Sequence, residues 1–144
     1  MYEINLLNAS HIDKMFEIER FCFKTPWSKA MLENELKNPL AHYFCIENER
    51  ELVAYIGFYR ILDEAHITNI AVLPSEQGKG LAKKLLKYTI DVAKAQGIKD
   101  MTLEVNERNE KAIKLYESFG FELAGKRPKY YEGVDAALIY WLRF

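Results

Sequence analysis

A carboxylate and a phenol in the second half of the sequence form a candidate acid–base pair. Glu104 stands in the apolar run Leu103-Glu104-Val105, which is typical of a strand with one buried face. A carboxylate in such a place is either paired or functional, because burying an unpaired charge is costly. Tyr116 follows after one strand end and one helix cap, a separation that lets both side chains turn into one cleft. A salt-bridged glutamate and a core-packed tyrosine are the structural alternatives.

Small residues occur at a place that suits a phosphate group. The segment Gln77-Gly78-Lys79-Gly80-Leu81-Ala82 comes just after a predicted strand and opens a predicted helix. The first N–H groups of a helix lack internal partners and carry partial positive charge, and small residues let a phosphate approach them. The P-loop pattern is absent, and Lys83 stands where the dinucleotide fingerprint needs a small residue. An ordinary strand-to-helix turn is the alternative interpretation.

The elements that must position these groups follow from hydrophobic periodicity and capping residues. Helices are expected to begin at Ser10, Ser28, Gly80 and Asn109, and residues 127–131 to connect the last two strands. The order β-α-α-β-β-β-α-β-α-β-β predicts an α/β fold with a mixed sheet and helices on both of its faces. The predicted strands are Tyr2–Leu7, His42–Glu47, Leu52–Leu62, Ala65–Leu73, Lys99–Val105, Phe121–Lys126 and Ala136–Phe144, and the predicted helices are Ser10–Arg20, Ser28–Lys37, Gly80–Gln96 and Asn109–Phe119.

The composition is that of one soluble globular domain over residues 1–144. Hydrophobic residues make up 49% and charged residues 28% of the chain, and the formal net charge is −1. We therefore expect no nucleic-acid partner, and no apolar run approaches the roughly 20 residues that span a bilayer. The N-terminus lacks a signal-peptide pattern, so we expect a cytoplasmic protein. Cys22 and Cys45 are expected to be reduced and largely buried, and the three scattered histidines predict no metal site.

Short motifs along nearly the whole chain fit the pattern of one family. They are Glu19–Phe23, Thr25–Ser28, Asn69–Val72, Gln77–Ala82, Leu103–Val105, Asn109–Phe121 (N-x-x-A-x-x-L-Y-E-x-x-G-F), Tyr130–Tyr131 and Asp135–Ala136. In this order they resemble the GNAT family of N-acetyltransferases, and within it the ribosomal-protein alanine N-acetyltransferases (the RimI type). The resemblance implies the GNAT fold and acetyl-CoA as co-substrate. Gln77 stands where relatives often have Arg, which still leaves the backbone N–H groups to bind the cofactor.

The resemblance also implies roles for particular residues. Glu104 would deprotonate the substrate amine through water, with Glu19 as the alternative base. Tyr116 would protonate the departing sulfur without a large shift of its pKa, and main-chain groups of Ile70 and Val72 would pair with the pantetheine arm of coenzyme A. The expected cofactor-binding residues are Ile70, Ala71, Val72, Gln77, Gly78, Lys79, Gly80, Leu81, Ala82, Asn109 and Tyr116, and the expected substrate-binding residues are Glu19, Phe23, Trp27, Tyr130 and Tyr131.

The expected substrate is the α-amine of a protein N-terminus that begins with Ala, and the resemblance implies a small-subunit ribosomal protein as partner. A narrow entrance walled by Trp27 and Tyr131 would favour a small first side chain. Two alternatives stay open. One is a lysine or small-amine acetyltransferase of the same fold. The other is a non-catalytic acyl-CoA-binding sensor, which would not need Glu104 and Tyr116 together.

Overall fold

A mixed sheet of seven strands, with helices packed on both faces, forms the fold and confirms the predicted architecture. The computed structural model describes residues 1–144. None of its helices is long and apolar enough to cross a membrane. Short 3₁₀ turns occupy Ala9–His11 and Pro74–Glu76. The strands are β1 Tyr2–Leu6, β2 Ala41–Asn48, β3 Glu51–Ile61, β4 Glu64–Val72, β5 Asp100–Asn106, β6 Glu122–Tyr131 and β7 Asp135–Arg143, and the helices are α1 Ile12–Cys22, α2 Lys29–Lys37, α3 Leu81–Ala95 and α4 Glu110–Ser118.

The strands lie in the order β1-β2-β3-β4-β5-β7-β6. All neighbours are antiparallel except β4 and β5, which run parallel, and the predicted meander of β2, β3 and β4 is confirmed. The parallel pair is short, because only Glu64–His66 of β4 aligns with Asp100–Thr102 of β5. The rest of β4 has a partner on β3 alone. A gap therefore opens between the carboxyl ends of β4 and β5.

A β-bulge in β4 explains where this gap begins. The register between β3 and β4 shifts by one residue at Thr68, which has no opposite residue on β3. Such an extra residue bends its strand and increases the local twist. His66, the last residue of β4 that pairs with β5, lies just before the bulge. The bend thus carries the second half of β4 away from β5.

Two apolar cores lie on the two faces of the sheet. Leu85 of α3 and Tyr116 of α4 belong to one, which we call the α3/α4 core. Ile18 of α1 and Leu32 of α2 belong to the other, the α1/α2 core. Neighbouring residues of β2 contribute alternately to both, because successive side chains of a strand point to opposite faces.

Three helices have a polar capping residue predicted from the sequence, and the structure confirms two of these caps. The side chains of Ser28 and Asn109 each accept a hydrogen bond from the backbone N–H three residues later. The prediction that Ser10 caps the first helix is wrong. Asn8 caps instead, by accepting from the Ser10 N–H, while its own N–H donates to His11 Nδ1. This capping box begins a 3₁₀ turn, and α1 follows it.

The last hairpin is longer than predicted. Residues 127–131, expected to connect two strands, belong to β6, although the pairing with β7 is irregular there. Pro128 is tolerated because β6 is the edge strand of the sheet, where its missing N–H breaks no ladder. Tyr130 and Tyr131 therefore stand at the end of a strand, and their positions are fixed by the sheet.

Candidate active site

The free edge of β4 presents unpaired main-chain groups to the gap. The N–H of Leu73 donates to Val53 O at 2.8 Å, and hydrogen-bonded pairs alternate along an antiparallel ladder. Ala71 therefore shares its bonds with β3, while the N–H and C=O of Ile70 and Val72 point into the gap. The side chains of Ile70 and Val72 pack against the α3/α4 core. An extended ligand with amide groups can pair with such an edge as an added strand does.

The loop after β4 presents free N–H groups at the start of α3. Gly78 and Gly80 have φ angles of 82° and 78°, and a Cβ on either would meet no atom within 4 Å. From Gly78 to Lys83 no backbone N–H has an acceptor in the protein, since the first helical bond runs from Lys84 N to Gly80 O. The first turn contains no acidic residue. The loop is thus an open, positively polarised surface that suits a phosphate group.

Two side chains of this loop are already engaged. Gln77 Nε2 donates to Val72 O at 3.1 Å, which joins the loop to the β4 edge. Lys79 Nζ lies 2.9 Å from Glu76 Oε2, and this carboxylate, followed by the Tyr2 hydroxyl, raises the pKa of Lys79. Lys79 is therefore cationic, but Glu76 balances its charge. Attraction for an anion rests on the backbone N–H groups rather than on this lysine.

Glu104 lies on the face of β5 opposite to its apolar neighbours. Leu103 and Val105 are buried in the α3/α4 core, so the side chain of Glu104 points to the other face and is partly exposed. Its Oε1 atom lies 3.6 Å from Arg127 Nη2 on β6. The apolar neighbours therefore do not bury it, and the pairing with Arg127 is loose. A hydrated carboxylate beside the gap can accept a proton through water.

Tyr116 extends from α4 into the α3/α4 core and is 8% exposed. Its hydroxyl is not a fully buried atom, and no protein group is within hydrogen-bonding distance to accept from it. Burial, followed by the nearby Tyr131, raises the pKa of Tyr116 to about 12, so the expectation of no large shift is wrong. Asn109, at the start of the same helix, uses Oδ1 for the cap and leaves its Nδ2 for a ligand.

Tyr131 links the two candidate catalytic residues. Burial raises the pKa of Tyr131 to about 12, and the neighbouring Glu104 and Tyr130 add to the rise. Tyr131 also contributes to the raised pKa of Tyr116. Glu104 and Tyr116 therefore both lie near Tyr131. Glu104 belongs to the face of β5 that is opposite to the α3/α4 core, whereas Tyr116 belongs to that core.

Glu19, the alternative base, lies inside the protein and is 2% exposed. Its Oε1 accepts a hydrogen bond from the Trp27 N–H at 3.2 Å. Its Oε2 accepts from the Tyr55 hydroxyl and from Asn69 Nδ2, the latter at 3.4 Å. Donors from three different segments thus occupy this carboxylate, and the structure does not bring it to the surface of the gap.

Four of the predicted substrate residues are aromatic, and they lie on two segments of the chain. Phe23 and Trp27, in the loop between α1 and α2, are half-buried against the α1/α2 core. Tyr130 and Tyr131 at the end of β6 meet edge to face, with ring centroids 5.1 Å apart. Tyr130 is about half exposed. The aromatic residues among the predicted substrate residues therefore form two groups, one in the loop between α1 and α2 and one at the end of β6.

The sequence assigned no role in the site to several charged residues near these aromatic side chains. Asp135 accepts from Arg108 Nε at 2.6 Å. Hydrogen bonds from Arg108 and Asn106 lower the pKa of Asp135, and the charge of Lys24 adds a smaller effect. Lys24 belongs to the loop between α1 and α2 that carries Phe23 and Trp27, which we call the aromatic loop. This loop therefore lies near the turn between β6 and β7. The sequence placed Arg127 only in the connection between the last two strands. Its position beside the candidate base depends on the pairing of β5, β7 and β6, which no local motif encodes.

A separate cluster of His11, Cys45 and Glu47 has its potential ligand atoms within 4.8 Å of one another. His11 Nδ1 accepts from the Asn8 N–H, so the neutral ring carries its proton on Nε2, 3.4 Å from Glu47. Burial, followed by Glu47, raises the pKa of the Cys45 thiol to about 12. A metal ion at this cluster would have to displace the proton of the Cys45 thiol and that of the His11 ring nitrogen that faces Glu47.

Comparisons with known proteins bear on the family and the fold. The model of the "Acetyltransferase (GNAT) family" matches residues 12–121. The ribosomal protein bS18-alanine N-acetyltransferase of Haemophilus ducreyi is 38% identical to this chain over 136 residues, which cover 93% of this chain and 92% of that protein. The match therefore extends over nearly the full length of both chains.

Solved structures share the fold. The ribosomal-protein-S18-alanine N-acetyltransferase of Escherichia coli superimposes with a TM-score of 0.93 at 32% identity, covering 99% of this chain and 94% of that one. The PaiA N-acetyltransferase of Thermoplasma acidophilum, solved in complex with coenzyme A, gives a TM-score of 0.86 at 19% identity, covering 100% and 99% of the two chains. The second match bears on the fold alone.

Proposed function

Since this chain belongs to the GNAT family of acetyltransferases, we propose that it transfers the acetyl group of acetyl-CoA to the α-amine of a protein N-terminus. Acetyl transfer to an amine is the activity of the family and of the relatives that match over nearly the whole chain. The proposal adds three things: where the co-substrate binds, which side chains act on it, and which amine accepts the group.

One observation carries the proposal, namely that the open β4 edge runs directly into the glycine loop. The N–H groups of Ile70 and Val72 and the C=O of Ile70, which have no strand partner on this edge, are followed by the free N–H groups that begin at Gly78. Acetyl-CoA supplies an activated acetyl group on an amide-containing arm that ends in a pyrophosphate. Amide groups suit the strand edge and phosphates suit the helix start, in the same order. The residues present therefore fit the co-substrate.

Glu104 is the proposed base. The carboxylate lies on the open side of the gap and makes only a 3.6 Å contact with Arg127, so water can reach it. An α-amine has a pKa near 8, and a usable fraction is neutral at about pH 7.5. A single carboxylate that acts through one water therefore suffices to remove the proton released on attack.

Tyr116 is the proposed donor to the departing sulfur. Because its pKa is about 12, the hydroxyl keeps its proton throughout the neutral range. It has no protein acceptor, so the proton is available to a ligand in the gap. A main-chain N–H of Ile70 or Val72 faces the same gap and would stabilise negative charge on the carbonyl oxygen during attack.

The relatives are described as acting on the alanine of ribosomal protein bS18, and we propose the same class of substrate for this chain. The aromatic walls formed by Trp27 and Tyr131 support an N-terminus with a small first side chain. Selection by an apolar wall is modest, about 10–200-fold per size step, so Ala and Ser are expected to be close rivals.

A matched peptide set tests the proposal. Peptides of one sequence begin with free Ala, Ser, Met or Glu, and an N-terminally blocked peptide carries one internal Lys. Thiol release from acetyl-CoA measures turnover, and mass spectrometry locates the acetyl group. We expect the Ala and Ser peptides to react fastest and the blocked peptide slowest.

Two results would overturn this assignment. Faster acetylation of the internal Lys than of every free N-terminus would make the chain a lysine acetyltransferase. Binding of acetyl-CoA without acetylation of any peptide or small amine in the set would instead favour the acyl-CoA-binding sensor.

A further inference from the structure

Glu19 is a buried carboxylate whose hydrogen bonds join three segments of the site. The Trp27 N–H belongs to the aromatic loop, the Tyr55 hydroxyl to β3, and Asn69 Nδ2 to β4. Tyr55 is itself fully buried. Charge-assisted hydrogen bonds of this kind are stronger than neutral ones, so the carboxylate acts as a rigid junction.

The side chain of Asn69 is oriented by a chain of hydroxyl groups. Thr68 Oγ1 donates to Asn69 Oδ1 at 3.1 Å, which fixes the amide so that its Nδ2 faces Glu19. The Tyr43 hydroxyl lies 3.3 Å from Thr68 Oγ1 and is the donor, since the Thr68 proton is already used. Such a chain polarises all its bonds in one direction and ends on the carboxylate.

The junction occurs at the point where β4 leaves β5. Thr68 is the bulge residue, and Asn69 is the next residue along the strand that we propose to bind the co-substrate. Through Glu19, the position of this strand is transmitted to Trp27, whose side chain forms one wall of the amine entrance. A shift of either part therefore moves the other.

We infer that Glu19 is a positioning residue that holds the aromatic loop against β4, and that it does not receive the substrate proton. This inference rests on the proposed function and names the residue that shapes its amine entrance. Glu19 is 2% exposed and both its oxygens accept protein hydrogen bonds, so its carboxylate is already engaged by protein donors. Glu104 alone is left to act as base.

The test compares Glu19→Gln with Asn69→Ala and Tyr55→Phe, which remove one donor each and leave the carboxylate intact. Glu17→Gln is the matched control, because Glu17 lies on the same helix and makes only a surface ion pair with Lys14. For each variant we measure kcat and the peptide KM, the ratio of Ala to Met peptides, and the pH profile of kcat/KM.

A positioning role has a distinct signature. Glu19→Gln and Asn69→Ala should each raise the peptide KM by roughly 10-fold and reduce the Ala-to-Met preference. The acid limb of the pH profile should keep its midpoint, since the base is elsewhere. A variant that combines Glu19→Gln with Asn69→Ala should be about as impaired as Glu19→Gln alone, because both changes break the same hydrogen-bond network. Glu17→Gln should match the parent.

Other results would overturn the inference. If Glu19→Gln lowers kcat about 100-fold with an unchanged peptide KM and abolishes the acid limb, Glu19 is the base. If Asn69→Ala and Tyr55→Phe leave the KM and the preference unchanged, the junction has no role in positioning, whether or not Glu19→Gln folds. If the parent enzyme prefers a lysine or a small amine, the same measurements are made with that amine in place of the peptide. Failure of the proposed function is then distinguished from failure of the inference about Glu19.

Discussion

Burial changes the chemistry that Tyr116 can offer to a leaving group. A phenol has an ordinary pKa near 10 and a thiol one near 8.5, whereas the pKa of Tyr116 rises to about 12. The pKa of Tyr116 is then roughly three to four units above that of the departing thiol, so complete proton transfer to the thiolate is unfavourable. The hydroxyl therefore acts chiefly as a hydrogen-bond donor to the charge that develops on sulfur, and it keeps its proton until that charge appears.

Replacing Tyr116 by Phe removes only this hydroxyl. We expect Tyr116→Phe to lower kcat by roughly 100-fold, the usual scale for one positioned proton donor. The affinity for acetyl-CoA and the urea midpoint should change little, because the ring stays in the core and the hydroxyl has no protein partner. Steady-state kinetics and calorimetry check this. Full activity in the variant would leave Tyr116 with a packing role alone.

Glu104 shows how far a local motif predicts a site residue. The pattern Leu103-Glu104-Val105 correctly predicts a strand, which the structure places over Asp100–Asn106. Apolar residues on either side of a strand position report on the opposite face, so they carry no information about the surroundings of Glu104 itself. Those surroundings, including Arg127, come from strand pairing between distant parts of the chain.

At the level of elements, the start of α3 is the part of the site most sensitive to a single change. The positive φ of Gly80 places its N–H and those after it on an open surface. A side chain there would be strained and would occupy the space that a phosphate needs. A negative charge would in addition oppose an anionic ligand at the same helix terminus.

We expect Gly80→Glu to weaken acetyl-CoA binding by at least about 30-fold in calorimetry. Gly97→Glu is the control, because Gly97 has a similar φ of 81° and open space around it, but it follows the other end of α3. This control carries the same backbone strain and the same charge. Acetyl-CoA affinity equal to the parent's in a folded Gly80→Glu variant would place the phosphate site elsewhere.

The elements differ in how well the sequence predicts them. Long periodic segments such as α3, and segments with polar caps such as α2, begin and end within about two residues of the prediction. The bulge at Thr68 has no such signal, since it depends on alignment with β3. The end of β6 was missed because Pro128 argues against a strand unless the strand lies at an edge, and edge position is a property of the whole sheet.

In the molecule as a whole, one core supports both sides of the gap. Ile46 of β2 and Leu103 of β5 belong to the same α3/α4 core, although β4 and β5 pair over only three residues each. The two parts of the sheet on either side of the gap are therefore joined mainly by side-chain packing in the α3/α4 core, and only to a small extent by strand pairing. This arrangement keeps the gap open without weakening the fold.

Alkaline pH should destabilise the whole molecule. Burial raises the pKa of Cys45 from 9.0 to about 12 and that of Tyr116 to about 12, and it also raises the pKa of Tyr43 and Tyr55. The folded state therefore holds these protons more tightly than the unfolded state. Their stabilising effect is complete below the unfolded pKa values and is lost as the pH rises toward 12. The two thiols titrate first, since burial also raises the pKa of Cys22, and Cys45 contributes about 1.4 kcal/mol per pH unit.

We expect the urea midpoint of the parent to fall between pH 8.5 and pH 10.5, measured by circular dichroism. Cys45→Ala removes one of the two thiols with a raised pKa, so its midpoint should fall less steeply than the parent's over this range, with Cys22 and the tyrosines still contributing. A parent midpoint that is unchanged up to pH 10.5 would contradict this account of the buried groups.

The bulge at Thr68 also bears on the entropy of binding. Because one extra residue turns β4 away from β5, the N–H groups of Ile70 and Val72 and the C=O of Ile70 have no strand partner before any ligand arrives. An extended arm that binds there displaces no neighbouring strand and orders no disordered segment. Little of the interaction free energy is then spent on reorganising the protein, and more of it appears as affinity. With an unbulged β4, the same groups would pair with β5 inside a continuous sheet, so a single residue of chain length makes the receptor pre-organised.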